Sequence, residues 1–141
     1  RSFLIPVKAA APPAGYDCVT DSRTPVRRHE TVEKLALDLN AKAEFADEGI
    51  VSKTLVEEPF SKVILFGFAK GQSLSEHTAS MPAIIHILSG PAKVLLGDTW
   101  HDAGPGSWFF MPPGLNHAIQ AEDDVVMLLT MFRSWEAAPA E

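Results

Sequence analysis

The chain has 141 residues and a mass of 15.3 kDa, which suits one domain with a substantial core and is too short for two. Its net charge is −6 and basic residues cluster only at Arg27 and Arg28, so we expect no nucleic acid among its partners. A single cysteine, Cys18, excludes an intramolecular disulfide and fits a reducing compartment, although disulfide-free chains can also be exported. No run approaches the roughly 20 apolar residues of a membrane span, so we expect no membrane partner. The cysteine usage leads us to expect a cytoplasmic protein.

Residues 1–30 differ in composition from the rest of the chain. They contain several prolines and alanines and no sustained period. This predicts either an extended arm, strand-like near residues 3–5 and lying on the body or on a neighbouring subunit, or a disordered terminus. Prolines interrupt the first apolar patch, so the segment is a poor signal peptide. Residues 135–141 are polar and predict a loose tail, which leaves residues 31–134 as the folded domain.

From residue 31 the pattern becomes periodic. In TVEKLALDLN, the alternation of Leu35, Leu37 and Leu39 favours a strand, with one or two helical turns as the alternative. Short apolar runs bounded by Gly, Pro or Asp follow, and each predicts a strand. Gly97-Asp98 is a two-residue hairpin turn within one of them. The runs are GIVSKTLVE (49–57), SKVILFGFAKG (61–71), AIIHILSG (83–90), AKVLLGDTWHDAG (92–104), SWFFMPPG (107–114), HAIQAEDD (117–124) and VVMLLTMF (125–132).

The spacing of these runs predicts the fold class. No segment after residue 45 shows a 3.6-residue period, and short strands at regular intervals with Gly/Pro turns indicate an all-β sandwich or barrel. Many of the strands are apolar on both faces, so we expect the barrel interior to cover one face and a second sheet or a partner subunit to cover the other. Together with the arm, this favours a homodimer.

The candidate site residues are histidines. The chain contains His29, His77, His86, His101 and His117. A lone histidine is more often a hydrogen-bonded structural residue than a metal ligand. Two of the five have informative surroundings, because His77 follows the glycine turn at Gly71 by one short strand and His117 follows a Pro/Gly corner. His101 is expected to be exposed, and His29 belongs to the basic cluster of the arm.

The two surroundings resemble the two sequence motifs of the cupin superfamily. The first family motif reads Gly-x5-His-x-His-x3-4-Glu-x6-Gly, and GQSLSEHTASMPAIIHILSG matches it at Gly71, His77 and Gly90. The second reads Gly-x5-Pro-x-Gly-x2-His-x3-Asn, and GSWFFMPPGLNH matches it through His117, with Ala121 at the final Asn position. The resemblance covers over half of the chain. It implies a double-stranded β-helix, a jelly-roll barrel with a pocket inside it.

The resemblance also implies a metal, but with an incomplete ligand set. In complete cupins, three His and one Glu bind a divalent metal, often iron, manganese, zinc or nickel. Only His77 and His117 carry over, because Ala79 and Ala83 stand at the other two ligand positions. Two imidazoles leave a first-row metal at least two protein ligands short of a tetrahedral site. We therefore expect either one divalent transition metal completed by water or an anion, or no metal.

His86 is the candidate for a third ligand, since it lies three residues after Ala83 on the same predicted strand. Side chains alternate along a strand, so an inward Ala83 predicts an inward Ile85 and an outward His86. A one-residue bulge would turn His86 inward. Otherwise His86 would form hydrogen bonds between the sheets or at a dimer interface. Glu76 is adjacent to His77, so an inward His77 predicts an outward Glu76, which is expected to be solvated.

The predicted pocket wall is apolar. Its residues are Ile85, Ile87, Phe110, Met111, Met127, Leu129 and Met131. Such a pocket with two histidines suits a small, mostly apolar molecule, although the same residues would also fill the interior of any small barrel.

Three functions are compatible with these features. The first is a module that binds a small molecule in the barrel, and the second is a metal-dependent enzyme of the dioxygenase or isomerase type. The third is a degenerate structural cupin without a site. No phosphate loop, nucleophile elbow or Cys-x-x-Cys pair suggests another chemistry.

Overall fold

A computed structural model of the chain describes residues 34–133. The predicted arm and tail, with Cys18 and His29, lie outside the described residues. The elements in residues 34–133 are α1 (Leu39–Lys42), β1 (Ile50–Glu57), β2 (Ser61–Phe68), β3 (Ser73–His77), β4 (Ala83–Ser89), β5 (Ala92–Leu96), β6 (Thr99–Ala103), β7 (Trp108–Met111), β8 (His117–Ala121) and β9 (Val125–Phe132).

Eight of the nine strands described in residues 34–133 form where the apolar runs predict them, including the β5–β6 hairpin at Gly97. The ninth, β3, is the short strand expected between Gly71 and His77. The strand predicted within residues 31–40 is wrong over its described part, because residues 34–38 have no regular structure and α1 follows. The side chain of Asp38 accepts a hydrogen bond from the backbone N–H of Ala41 at 3.1 Å. This N-cap bond stabilises a helical turn and competes with an extended backbone.

The nine strands form two antiparallel sheets. The five-stranded sheet has the order β1-β2-β9-β4-β7, and the four-stranded sheet has the order β3-β8-β5-β6. Strands that pair are often distant in the chain, as β3 is from β8 and β2 is from β9. The predicted all-β barrel is therefore confirmed, and each motif segment lies within it.

Both sheets contribute to one apolar core. Along β4, Ala83, Ile85 and Ile87 are buried, whereas the residues between them are only half-buried. This period of two is what a strand with one face toward a core requires. Each fully buried aliphatic side chain stabilises the fold by about 1.5–3 kcal/mol. The core contains Phe68, Ala83, Ile85, Ile87, Ala92, Val94, Met111, Ile119, Ala121, Val125 and Met127.

The outer surface is the part of the domain that a membrane or a partner subunit would contact. Within residues 34–133, no helix has the length and apolar character that a membrane crossing requires. Several aromatic side chains are exposed, and some of them border a shallow apolar groove of about 750 Å³. The groove is formed by Phe60, Pro82, Phe110, Pro112, Pro113, Phe132 and Arg133. The homodimer stays a prediction, because the structure contains a single chain.

Alanine substitutions at Gly71 and Gly90 should separate the cost of a strained backbone from the cost of a steric overlap. Gly71 and Gly90 have φ values of +79° and +82°, a region that disfavours any residue with a Cβ by about 1–2 kcal/mol. A Cβ at Gly90 would also overlap the carbonyl oxygen of Asp124, whereas one at Gly71 would meet nothing within 4 Å. We expect Gly71→Ala to lower the free energy of unfolding by about 1 kcal/mol and Gly90→Ala by more than about twice that. Equal losses in urea unfolding would contradict this account of the β4–β5 turn.

Candidate functional site

Two histidines meet on the four-stranded sheet. The antiparallel pairing of β3 with β8 makes His77 and His117 direct cross-strand partners. Their ring centroids are 4.1 Å apart and the ring planes are inclined by 58°. His117 is buried, with 6% of its surface accessible, and His77 is more exposed at the end of its strand. The two motif histidines therefore form one pair, although 40 positions separate them in the chain.

The protein backbone orients both rings in the same way. The Nδ1–H of His77 donates to the carbonyl oxygen of Ser75 at 2.7 Å, and the Nδ1–H of His117 donates to that of Leu115 at 2.9 Å. A carbonyl oxygen can only accept, so the proton of each neutral ring lies on Nδ1. Each Nε2 then keeps a lone pair. The site consequently presents two hydrogen-bond acceptors, or two nitrogen ligands, beside each other.

The histidine pair borders a cavity of about 260 Å³ between the sheets. The other walls are apolar and come from both sheets and from the loops after β3 and β7. The cavity is lined by His77, Ala79, Met81, Ala83, Met111, Pro112, Leu115, His117, Leu129 and Met131.

Three predicted pocket residues, Met111, Leu129 and Met131, line the cavity. Three others, Ile85, Ile87 and Met127, do not line it and are fully buried in the core. They share the inward face of β4 and β9 with the cavity residues but lie further along the strands, where side chains from both sheets fill the space. Strand periodicity identified the correct face, and only packing decides where that face becomes a cavity.

Phe110 was expected in the pocket, but it lies outside the barrel. Half of its surface is accessible and it borders the outer groove. Its neighbours Phe109 and Met111 pack toward the core instead. Adjacent residues of a strand point to opposite faces, so Phe110 and Met111 cannot both line one cavity. The alternation within β7 was a sequence signal against naming both residues, and the structure decides that Met111 is the inward one.

The structure does not bring His86 to the histidine pair. His86 is half-buried on the face of β4 opposite to Ala83 and Ile85, and it does not line the cavity. An inward His86 would need a bulge before it, but the pairing of β4 with β7 and β9 is regular from Ala83 to His86. The only irregularity of β4 in these pairings falls later, between Ile87 and Ser89.

The donor set at the cavity does not match the four-ligand cupin metal centre. Ala79 and Ala83, at the two lost ligand positions, both line the cavity and carry no donor atom. The carboxylate of Glu76 accepts a hydrogen bond from the side chain of Asn116 and is exposed. Among residues 34–133, no group of three or more His, Cys, Asp or Glu side chains is placed to hold a metal ion. A metal bound in the family's manner would find only the two imidazoles.

The sequence reasoning missed some of the lining residues. Met81 and Leu115 contribute from loops, for which strand periodicity gives no direction. Ala79 and Ala83 were identified only as lost ligands, but their small side chains leave the space that forms the cavity. Pro112 lines both the cavity and the outer groove.

Two antiparallel sheets around a cavity with inward-facing histidines define a double-stranded β-helix domain of the ligand-binding type. The AraC-like ligand-binding domain family matches residues 64–133. The search of curated proteins found no match.

Solved structures give the same fold. A conserved protein of unknown function from Streptococcus pyogenes is 27% identical, with a TM-score of 0.66 over 74% of this chain and 91% of that one. A cupin superfamily protein from Desulfitobacterium hafniense is 25% identical, with a TM-score of 0.67 over 72% and 94%. A cupin 2 conserved barrel domain protein from Leptotrichia buccalis is 30% identical, with a TM-score of 0.65 over 69% and 47%. The described residues form a cupin domain, and its first motif keeps one of the ligand residues.

The tautomers of the pair can be tested directly. In long-range ¹H–¹⁵N spectra recorded in alkaline buffer, where imidazoles are neutral, we expect His77 and His117 to carry their proton on Nδ1. His86→Ala should remove a third imidazole signal and leave these two unchanged, because His86 lies on the other face of β4. An Nε2–H tautomer at either member of the pair would contradict the described geometry.

Proposed function

We propose that this cupin domain binds a small, largely apolar molecule that carries one hydrogen-bond donor group. The observation that supports this most directly is the combination of an apolar cavity with two oriented histidines at its edge. Ligand sites in proteins typically combine apolar walls with a few polar groups that fix orientation. The match to the AraC-like ligand-binding domain family also favours a binding role.

The size of the cavity limits the ligand. Its volume of about 260 Å³ equals the liquid volume of roughly nine water molecules. For comparison, an engineered apolar cavity of about 150 Å³ in another protein holds benzene. We therefore expect a ligand no larger than one substituted ring or a short branched chain.

The histidine pair determines which polar group the ligand should carry. With Nδ1 committed to the backbone, a neutral imidazole offers only an acceptor at Nε2. A ligand with a hydroxyl or amino group can donate to one Nε2 or share its protons between the two. A hydrocarbon of the same shape would leave both acceptors without a partner, which lowers affinity.

We favour this role over a metal-dependent enzyme because alanines stand at two of the four ligand positions and line the cavity. A purely structural role has less support, because the vacated space beside the histidines is not filled by larger side chains.

Matched pairs of single-ring compounds test the proposal. Cresols should raise the unfolding temperature more than xylenes, and benzyl alcohol more than ethylbenzene, with EDTA present throughout. A ligand at 100 times its Kd stabilises the fold by about 2.7 kcal/mol. The effect should persist with chelator, since the proposed contacts need no metal. If no compound raises the unfolding temperature, or hydrocarbons do so as strongly as alcohols, the proposal fails.

A filled cavity provides the matched control. Ala79→Phe places a ring at the cavity, whereas Thr78→Phe adds the same ring at the exposed neighbouring position, which does not line it. We expect Ala79→Phe to abolish stabilisation by the best compound and Thr78→Phe to retain it. His77→Ala should reduce the preference for alcohols over hydrocarbons, because one acceptor is lost. Equal binding by both Phe variants would show that the compounds bind elsewhere.

A further inference from the structure

Most of the methionine side chains of the chain line the cavity. Three of its four methionines, Met81, Met111 and Met131, line the cavity together with His77 and His117. None of these three methionines stands at a ligand position of the family motifs. Methionine often serves only as a flexible filler of cores, and Met127, the fourth, is fully buried in that way.

The strand register places two of the methionines side by side on the cavity wall that the five-stranded sheet provides. Ala83 pairs with Met111 on one side and with Met131 on the other, so these three residues form one row across the five-stranded sheet. All three line the cavity, and the small Ala83 separates the two long side chains. His77 and His117 pair on the opposite sheet and line the same cavity. Packed sheets lie about 10 Å apart, so methionine and imidazole side chains that project from opposite sheets can meet between them.

These donors suit a soft ion. Thioether ligands select Cu(I), imidazole also binds copper, and neither group is the preferred partner of hard divalent ions. Both imidazoles already have the backbone hydrogen bond at Nδ1 that metal-binding histidines use to fix the ring, which leaves each Nε2 as the ligand atom.

The charge of the site favours a monovalent ion as well. None of the residues that line the cavity is acidic. The cost of transferring an ion from water into an apolar site grows with the square of its charge, so an unneutralised dication costs about four times as much as a monocation. The same absence of carboxylates that disfavours the divalent metal of the family is compatible with a single positive charge.

We propose that the cavity is a binding site for a soft monovalent metal ion of the Cu(I) class, held by Nε2 of His77 and His117 and the sulfurs of Met111 and Met131, with Met81 available from the loop after β3. This site goes beyond the proposed binding of an apolar molecule. The ion and the molecule would use the same cavity, so each should weaken the binding of the other.

Silver(I) is the probe for the test, because it shares the ligand preferences of Cu(I) and is stable in air. The titration uses full-length Cys18→Ser protein treated with chelator, since the only thiol of the chain would otherwise capture the ion. With ¹³C-labelled methionine methyl groups, one equivalent of Ag(I) should shift three of the four methyl signals. The signal that is absent from a Met127→Leu variant should be the one that does not move.

Methionine-to-leucine variants supply the affinity test, because this exchange nearly preserves side-chain volume and therefore the fold. In the Cys18→Ser background, we expect the double variant Met111→Leu/Met131→Leu to lose at least tenfold in affinity for Ag(I), and for Cu(I) without oxygen in competition with bicinchoninate. Met127→Leu should keep the original affinity. His77→Ala should also lose affinity by at least tenfold.

Three outcomes would overturn the ion site. They are no stoichiometric Ag(I) binding, unchanged affinity in the double methionine variant, and displacement of one equivalent of Ag(I) by Zn(II) or Mn(II) at equal concentration. The last would indicate a divalent site of the family type. Binding of single-ring alcohols with EDTA present does not depend on the sulfurs as ligands. If the ion site is wrong, the stabilisation by single-ring alcohols should therefore be unchanged. If the alcohols do not bind, the silver titration should be unaffected.

Discussion

The alternation of side chains along each strand is the constraint on which the rest of this structure depends. Two antiparallel sheets can share one core only if every second residue of their strands faces inward. In β4 this places Ala83, Ile85 and Ile87 inside and His86 outside. The regular pairing of β4 with both neighbours from Ala83 to His86 fixes that choice, because a shift of one residue would exchange the two faces.

The same constraint explains how a core becomes a site. Along the inward face of β4, isoleucines fill one end of the barrel, whereas the alanine at the other end leaves space. Ala79 enlarges that space from the loop. The alanines at the two ligand positions therefore provide volume, and no donor atoms, beside a histidine pair that the backbone orients. A pocket that lacks two of the family's four metal ligands, the carboxylate among them, is better suited to an uncharged or singly charged occupant.

The two proposed occupants use different parts of one cavity wall. An apolar molecule would use the full wall and the acceptor lone pairs, whereas a soft ion would use those lone pairs and the thioether sulfurs. Methionine suits both uses because its long, unbranched side chain adapts to a ligand and its sulfur is polarisable. The exposed aromatic residues at the outer groove, Phe60, Phe110 and Phe132, do not line the cavity.

The sequence by itself determined the strands from residue 49 onward, the barrel and the two motif histidines, because strand periodicity, turn residues and motif spacing are local properties of the chain. It also limited the metal site, since a missing donor is visible as Ala79 and Ala83 without any structure. Only the tertiary structure decided that His77 and His117 touch, that Phe110 lies outside, and that Met81, Met111 and Met131 share one cavity. Those facts depend on pairings between strands that are distant in the chain, such as β3 with β8 and β4 with β7 and β9, and a local pattern cannot encode which strands will be neighbours.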